Sequence, residues 1–237
     1  MLSDPHSELA PSGEIRAGIN FGNALLAKRD ADGAPRGIAV DLAQELARRL
    51  GVPLEIVSYA TAGKMADGAK SGAWDVAFLA TDPDRAAEIV FTVPYLEIHT
   101  TYLVPAGSHV RTPADVDREG IRIAVSAKSA YDLFLTRELK HAQLVREAGV
   151  DASIDLFFAQ GLDALAGLKP LLIDLAEKHP GTRVLDGNFT VVQQAVGVPR
   201  GRDAAARHVA EFVADIKASG LVGTLIMKNG IRGVSIP

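Results

Sequence analysis

Gly72-Ala73-Trp74-Asp75-Val76-Ala77-Phe78-Leu79-Ala80 leads into Thr81-Asp82-Pro83-Asp84-Arg85 and, six residues past the arginine, Phe91-Thr92-Val93-Pro94-Tyr95. The run from Trp74 to Ala80 is apolar without alternation, which is the pattern of a strand covered on both faces in a parallel sheet. Upstream, a short helix is expected from about Gly63 to Ser71, and a strand from Pro53 to Tyr59. From Gly37 the spacing turns helical: Val40, Leu42, Ala43, Leu46, Ala47 and Leu50 share one apolar face. Arg48 and Arg49 sit in the last turn and Gly51 ends the helix. Asp32-Gly33-Ala34-Pro35 reads as a turn, and Glu14 to Phe21 as a strand running into a loop at Gly22-Asn23. The residues before it are polar and read as a loose start. Strands that alternate with helices in this way imply crossover units on a parallel sheet.

Downstream, Glu97 to Pro105 is one extended segment rich in Thr, Tyr, Ile and Val. The same grammar then restarts. Ile121 to Ser126 reads as a strand, and Ser129 opens a helix that runs to about Lys140. A helix is expected over Ser153 to Gln160, a strand over Leu162 to Ala166, a helix over Pro170 to Lys178 and a short extended piece over Arg183 to Leu185. Thr190 to Val198 is a second long extended run, closed by Pro199-Arg200-Gly201. Asp203 to Lys217 is an amphipathic helix, and a shorter one follows near Leu221 to Lys228. The pattern is consistent with two α/β units joined by the extended segments 97–105 and 190–198. It is equally consistent with one doubly wound domain of about six strands.

Composition narrows the function. With 237 residues and a hydrophobic share of 48%, the chain can bury one large core or two small ones. The net charge is −4 and no basic run occurs, which argues against nucleic acid as a partner. Cysteine is absent, which excludes disulfides, thiolate metal sites and thiol nucleophiles. The six histidines form no HExxH or HxH pair, and no GxSxG or GxxxxGK[ST] stretch occurs, so neither metal nor cofactor is expected. No apolar run approaches 20 residues. Met1 to Glu8 has neither a basic n-region nor an apolar h-region and therefore reads as lacking a secretory signal. A removed leader and a chain that never had one both remain open.

Several stretches together resemble the amino-acid-type periplasmic solute-binding proteins of ABC importers (family 3), from about Gly13 to Gly230. They are Ile15-Arg16-Ala17-Gly18-Ile19; Gly37-Ile38-Ala39-Val40-Asp41-Leu42-Ala43 with Leu46 and Gly51-Val52; the stretch from Gly72 to Tyr95; and Gly120-Ile121-Arg122-Ile123-Ala124-Val125. The resemblance implies a type II, two-lobed α/β fold. Each lobe would be a mixed, mostly parallel sheet flanked by helices, with a two-strand hinge. Residues 1–101 with 198–237 would form the first lobe and 102–197 the second. It also implies a small anionic ligand, a carboxylate or amino acid, held in a cleft that closes by hinge motion. A membrane component of an ABC importer would be the partner, the chain would act as a monomer, and the location would be periplasmic. A cytoplasmic location stays open without a leader.

The resemblance also nominates site residues. Arg85 matches the family arginine that pairs with a ligand carboxylate, a task its planar fork suits. Read from the residues alone, it could instead cap or pair with Asp82 or Glu88 on a surface helix. Ser126-Ala127-Lys128-Ser129-Ala130-Tyr131 aligns with the family's second-lobe turn. Ser129 there sits at a strand-to-helix junction where a hydroxyl and amide groups can face an anion. Lys128 stands where the family usually has glycine, and either adds charge to the site or points into water. Asn20, Phe21 and Asn23 follow the first strand and would supply an aromatic wall and polar contacts, although Phe21 could equally be core. Thr81 and Asp82 lie between strand and arginine.

Two departures bear on the ligand. The family commonly places an aspartate for the ligand's α-ammonium five residues beyond the aspartate of the Asp163-Ala164 pair, where this chain has Leu168, followed by Lys169, which is itself nominated for the site. Leucine cannot neutralise a desolvated ammonium. Ala80 replaces a usual hydroxyl residue. The expected ligand is therefore a small carboxylate without an α-amino group, or an amino acid whose ammonium is held by Asp82. No enzyme activity is expected. The alternatives are a dehydratase using Asp82 or Glu97 as a general acid, as some proteins of this fold do, and a ligand-sensing module.

Overall fold

In the computed structural model, which describes residues 4–237, a fully buried five-residue strand, Val76–Ala80, lies within the sheet of one of two units. The reading of Met1, Leu2 and Ser3 as part of an unsignalled start lies outside the described residues. In chain order the elements are α1 (Pro5–Leu9), β1 (Ile15–Asn20), β2 (Lys28–Arg29), β3 (Pro35–Arg36), α2 (Ile38–Leu50), β4 (Leu54–Tyr59), α3 (Ala62–Asp67), β5 (Val76–Ala80), β6 (Ile89–Phe91) and β7 (Leu96–Pro105). They continue with β8 (Arg122–Ser126), α4 (Ala130–Glu138), β9 (Gln143–Glu147), α5 (Val150–Ala159), β10 (Ala164–Leu168), α6 (Lys169–Lys178) and β11 (Thr182–Val184). The last are β12 (Thr190–Pro199), α7 (Asp203–Ala218), α8 (Leu221–Lys228) and β13 (Val234–Ser235). Single 3₁₀ turns occupy Arg85–Ala87 and Pro113–Val116.

The chain divides into two compact units. Unit 1 comprises the residues up to Glu97 together with Gln193–Pro237, and unit 2 comprises Ile98–Val192. In unit 1, β1 pairs in parallel with β4 and β5, while β12 runs antiparallel to β5 and β6. The α2 helix places Val40, Leu42, Ala43, Leu46, Ala47 and Leu50 inside, as the spacing predicts, buries Ile38 as well, and is closed by Gly51 in a left-handed conformation (φ 69°). On the helix's outer face, Glu45 accepts hydrogen bonds from Arg48 and Arg49 at 2.8 and 2.7 Å. Met65, Ala69, Trp74, Ala77, Leu79 and Ile89 form a second part of this core, with the Trp74 indole donating to the Met65 carbonyl at 2.8 Å. Burying an aromatic of this size contributes on the order of 3 kcal/mol.

In unit 2, β8 pairs in parallel with both β9 and β10, and β10 and β11 pair antiparallel to β7. Leu103, Ala124, Phe157, Leu162, Leu165 and Leu172 form its core.

The sequence expectations shift in identifiable places. The strand expected at Leu162 to Ala166 begins at Ala164, because the Leu162 amide is spent on the Phe157 carbonyl at the end of α5. The helix expected from Ser153 starts at Val150. The start read as loose contains α1, capped by Asp4, opened by Pro5 and anchored by fully buried Leu9. Its Glu8 accepts the Ala205 amide of α7 at 2.9 Å. The strand β9 and the β2–β3 hairpin around the Asp32–Pro35 turn are additions to the strands expected from the sequence.

Candidate functional site

Parallel pairing sends the carboxyl ends of β1, β4 and β5 to the same edge of unit 1, with Asn20 opposite Tyr59 and Ala17 opposite Val76. In open α/β sheets this is the edge where ligands bind. The loop after β1 is fastened to the end of β4: the Phe21 amide donates to the Tyr59 carbonyl at 2.8 Å, and Asn20 Oδ1 accepts the Gly22 amide at 3.0 Å. Gly22 is required by close approach, since a Cβ there would lie 2.0 Å from the Ala60 carbonyl oxygen. Asn23 Oδ1 accepts the Leu25 amide at 3.3 Å. Phe21 is half-buried, and the Arg29 guanidinium lies 4.5 Å above its ring. That guanidinium is itself held by Gly33 O at 2.9 Å and Ser58 Oγ at 2.7 Å.

Beyond β5, Thr81 is half-buried and its amide donates to Gln193 O at 2.8 Å. Asp82 and Arg85 are both buried. Asp82 Oδ1 accepts the Asp84 amide at 2.9 Å, and its backbone carbonyl accepts the Ala86 amide. Arg85 is only 6% exposed and donates from one terminal nitrogen to the Ala80 carbonyl at 2.8 Å. Burial pulls its guanidinium down to about 10, and the charge of Asp82 opposes that shift. The side chain therefore remains a cation at neutral pH. Arg85 does not lie on a surface helix paired with Glu88; it stands in a 3₁₀ turn, and Glu88 instead meets Lys70 at 3.5 Å.

In unit 2, β8 and β10 likewise run parallel, so Ser126 and Leu168 end at the same edge. Past β8 the backbone turns at Lys128, whose φ is 57°, and Ser129 caps α4 by accepting the Asp132 amide at 3.0 Å. Lys128 is exposed, Ala130 half-buried and Tyr131 buried. Burial pushes the Tyr131 phenol up to about 12, with hydrogen bonding to the Ser129 and Ser126 hydroxyls opposing. Leu168 is buried at the end of β10, and Lys169 follows as the half-buried first residue of α6.

The eleven nominated residues therefore fall in two sets. Asn20, Phe21, Asn23, Thr81, Asp82 and Arg85 gather at the carboxyl edge of unit 1. Lys128, Ser129, Ala130, Tyr131 and Lys169 gather at that of unit 2. Sequence reasoning missed Asp132, Arg146 and Arg29. Asp132 left a signal, since Ser129-Ala130-Tyr131-Asp132 has the spacing of a capping box. Arg146 and Arg29 left none: the bond from Arg146 to Asp132 spans 14 residues, and Arg29 is set over Phe21 by Ser58, 29 residues away, together with Gly33. Among the described residues, no cluster of three His, Cys, Asp or Glu is arranged to hold a metal ion.

The architecture is shared with two-lobed periplasmic binding proteins. It superposes on a mutant of ArgBP from T. maritima with a TM-score of 0.80, at 23% identity, covering 95% of this chain and 98% of that one. It also superposes on the solute receptor for L-cysteine of Neisseria gonorrhoeae with a TM-score of 0.82, at 23% identity, covering 94% and 93%. Among curated proteins, cyclohexadienyl dehydratase of Pseudomonas aeruginosa is 24% identical over 225 residues, 89% of this chain and 80% of that protein. The profile of the bacterial extracellular solute-binding proteins, family 3, matches residues 15–230, and the chain belongs to that family.

Proposed function

We propose that this solute-binding protein captures a small carboxylate or amino-acid-like solute for ABC-type uptake outside the cytoplasmic membrane, as a monomer and without catalysing a reaction. The observation that carries the reading is the buried, charged Arg85 at the carboxyl edge of unit 1. Its planar guanidinium fork can offer a carboxylate two parallel charge-assisted bonds. Unit 2 offers the Ser129 hydroxyl and the positive charges of Lys128 and Lys169 at the equivalent edge of its own sheet. Among the proteins of like fold are ArgBP of T. maritima, solved with arginine bound, and a receptor for L-cysteine, which supports an amino-acid-like solute. No helix among the described residues is long and apolar enough to cross a membrane.

Buried Leu168 stands where the family's acid for an α-ammonium is expected, and Asp82 is the carboxylate that acts on Arg85. The solute is accordingly a carboxylate without an α-amino group, or an amino acid whose ammonium is held by Asp82. A thermal-shift screen tests this, because a solute bound only by the native state raises its melting temperature. Succinate, L-glutamate, L-arginine and L-cysteine serve as probes, each repeated on Asp82→Ala. Tight binding of a plain L-amino acid that Asp82→Ala leaves unchanged would refute the ligand assignment.

A second reading, an enzyme of the dehydratase type, draws on the cyclohexadienyl dehydratase relative. Glu97 is half-buried and accepts a hydrogen bond from Gln193 Nε2 at 2.9 Å. Saturable binding without product formation supports capture, and turnover of a bound hydroxylated acid supports the enzyme.

A further inference from the structure

Among the described residues, Lys128 is the one non-glycine side chain on a left-handed backbone. Glycine adopts that conformation without steric cost, whereas a lysine has to be held in it. The hydrogen bonds around the turn show what holds it. The Asp132 carboxylate is buried, and its Oδ2 accepts the Lys128 amide at 2.8 Å. Its Oδ1 accepts Arg146 Nε at 2.8 Å. Another nitrogen of Arg146 donates to Thr136 Oγ1 at 2.8 Å, and that hydroxyl donates to the Asp132 carbonyl at 2.7 Å. Ser129 Oγ already caps α4, so the bond to Lys128 is additional to what the helix start requires.

We infer that Asp132 is a positioning residue of the unit 2 half-site: its carboxylate, fixed by Arg146 and Thr136, holds Lys128 left-handed and so sets where Lys128, Ser129 and Ala130 present their groups to the solute. The inference rests on the proposed reading that this turn meets the solute. Charge-assisted bonds of this kind are stronger than neutral ones, which suits a carboxylate holding a strained residue. It follows that Asp132 matters because position 128 is a lysine. With glycine there, the turn would form without it.

The test compares the full chain with Asp132→Asn, Lys128→Gly and the double variant. Three readouts are used: hydrogen exchange of the backbone amide at position 128 without ligand, melting temperature, and calorimetric affinity for succinate, L-glutamate, L-arginine and L-cysteine. Asp132→Asn is expected to speed exchange at least tenfold and to weaken the tightest solute at least tenfold. The double variant is expected to bind within threefold of Lys128→Gly alone. Unchanged exchange in Asp132→Asn overturns the inference, and so does an affinity loss equally large in both backgrounds, which a general structural role would give. If exchange responds while no solute's affinity does, or if none of the four binds, the reading that this turn meets solute fails and the positioning role falls with it.

Discussion

The Asp75 carboxylate, with no exposed surface, accepts Nε and a terminal nitrogen of Arg16 at 2.9 Å each. It also takes the Arg16 amide at 3.1 Å and Arg202 at 2.8 Å, tying the start of β5 to β1 and to the start of α7. Removing the acid would leave two arginines facing a buried gap. Asp75→Ala is expected to cost about 3 kcal/mol, or about 10 °C in melting temperature for a chain of this size. Burial pushes this carboxyl up, but the hydrogen bonds from Arg16 and Arg202 outweigh it and leave its pKa below the ordinary value. The stability it contributes is therefore complete above that ordinary value and is lost as pH falls below it. Thermal unfolding of the variant between pH 7 and pH 3 should show a weaker acid dependence than the parent.

Tyr131 makes the opposite prediction at high pH. Its folded pKa is raised to about 12, above the value of an unfolded tyrosine. The contribution is complete below pH 10 and fades as pH rises towards 12, because the unfolded chain releases its proton first. Between pH 9 and pH 11 the parent should lose about 1 kcal/mol more stability than Tyr131→Phe. Urea unfolding across that range measures the difference.

Gly22→Ala would push a methyl group into the Ala60 backbone, where no flexible side chain can give way. The loop after β1 must then shift, carrying Phe21 and Asn23 with it. A loss of about 2 kcal/mol is expected, near 6 °C in melting temperature, together with weaker solute binding.

Much of the scaffold was legible because its signals are local. The unbroken apolar run before Thr81 marks a doubly covered strand, and α2 announces itself by its spacing, its two terminal arginines and Gly51. What escaped depends on partners distant in sequence. The strand β9 has the pattern Gln143-Leu144-Val145-Arg146-Glu147, too charged to read as a strand, and is stabilised by parallel pairing with β8. The hairpin of β2 and β3 is two residues per strand, too short for any period to show. For the site, residue types at strand ends were readable, but the bonds that fix them were not. Nothing in the sequence says that Arg29 covers Phe21 or that Arg146 reaches Asp132.

The most direct measurement is a calorimetric titration of the parent, Arg85→Lys and Arg85→Met with the tightest solute from the thermal-shift screen, alongside each variant's melting temperature. Arg85→Met takes away the charge that buried Asp82 faces and the bond to the Ala80 carbonyl, so it should cost about 3 kcal/mol of stability, while loss of the bonds to a carboxylate should weaken binding of the still-folded variant roughly 100-fold. Arg85→Lys, which keeps the charge but not the fork, should weaken it about tenfold. Parent-like affinity in Arg85→Met would contradict the account.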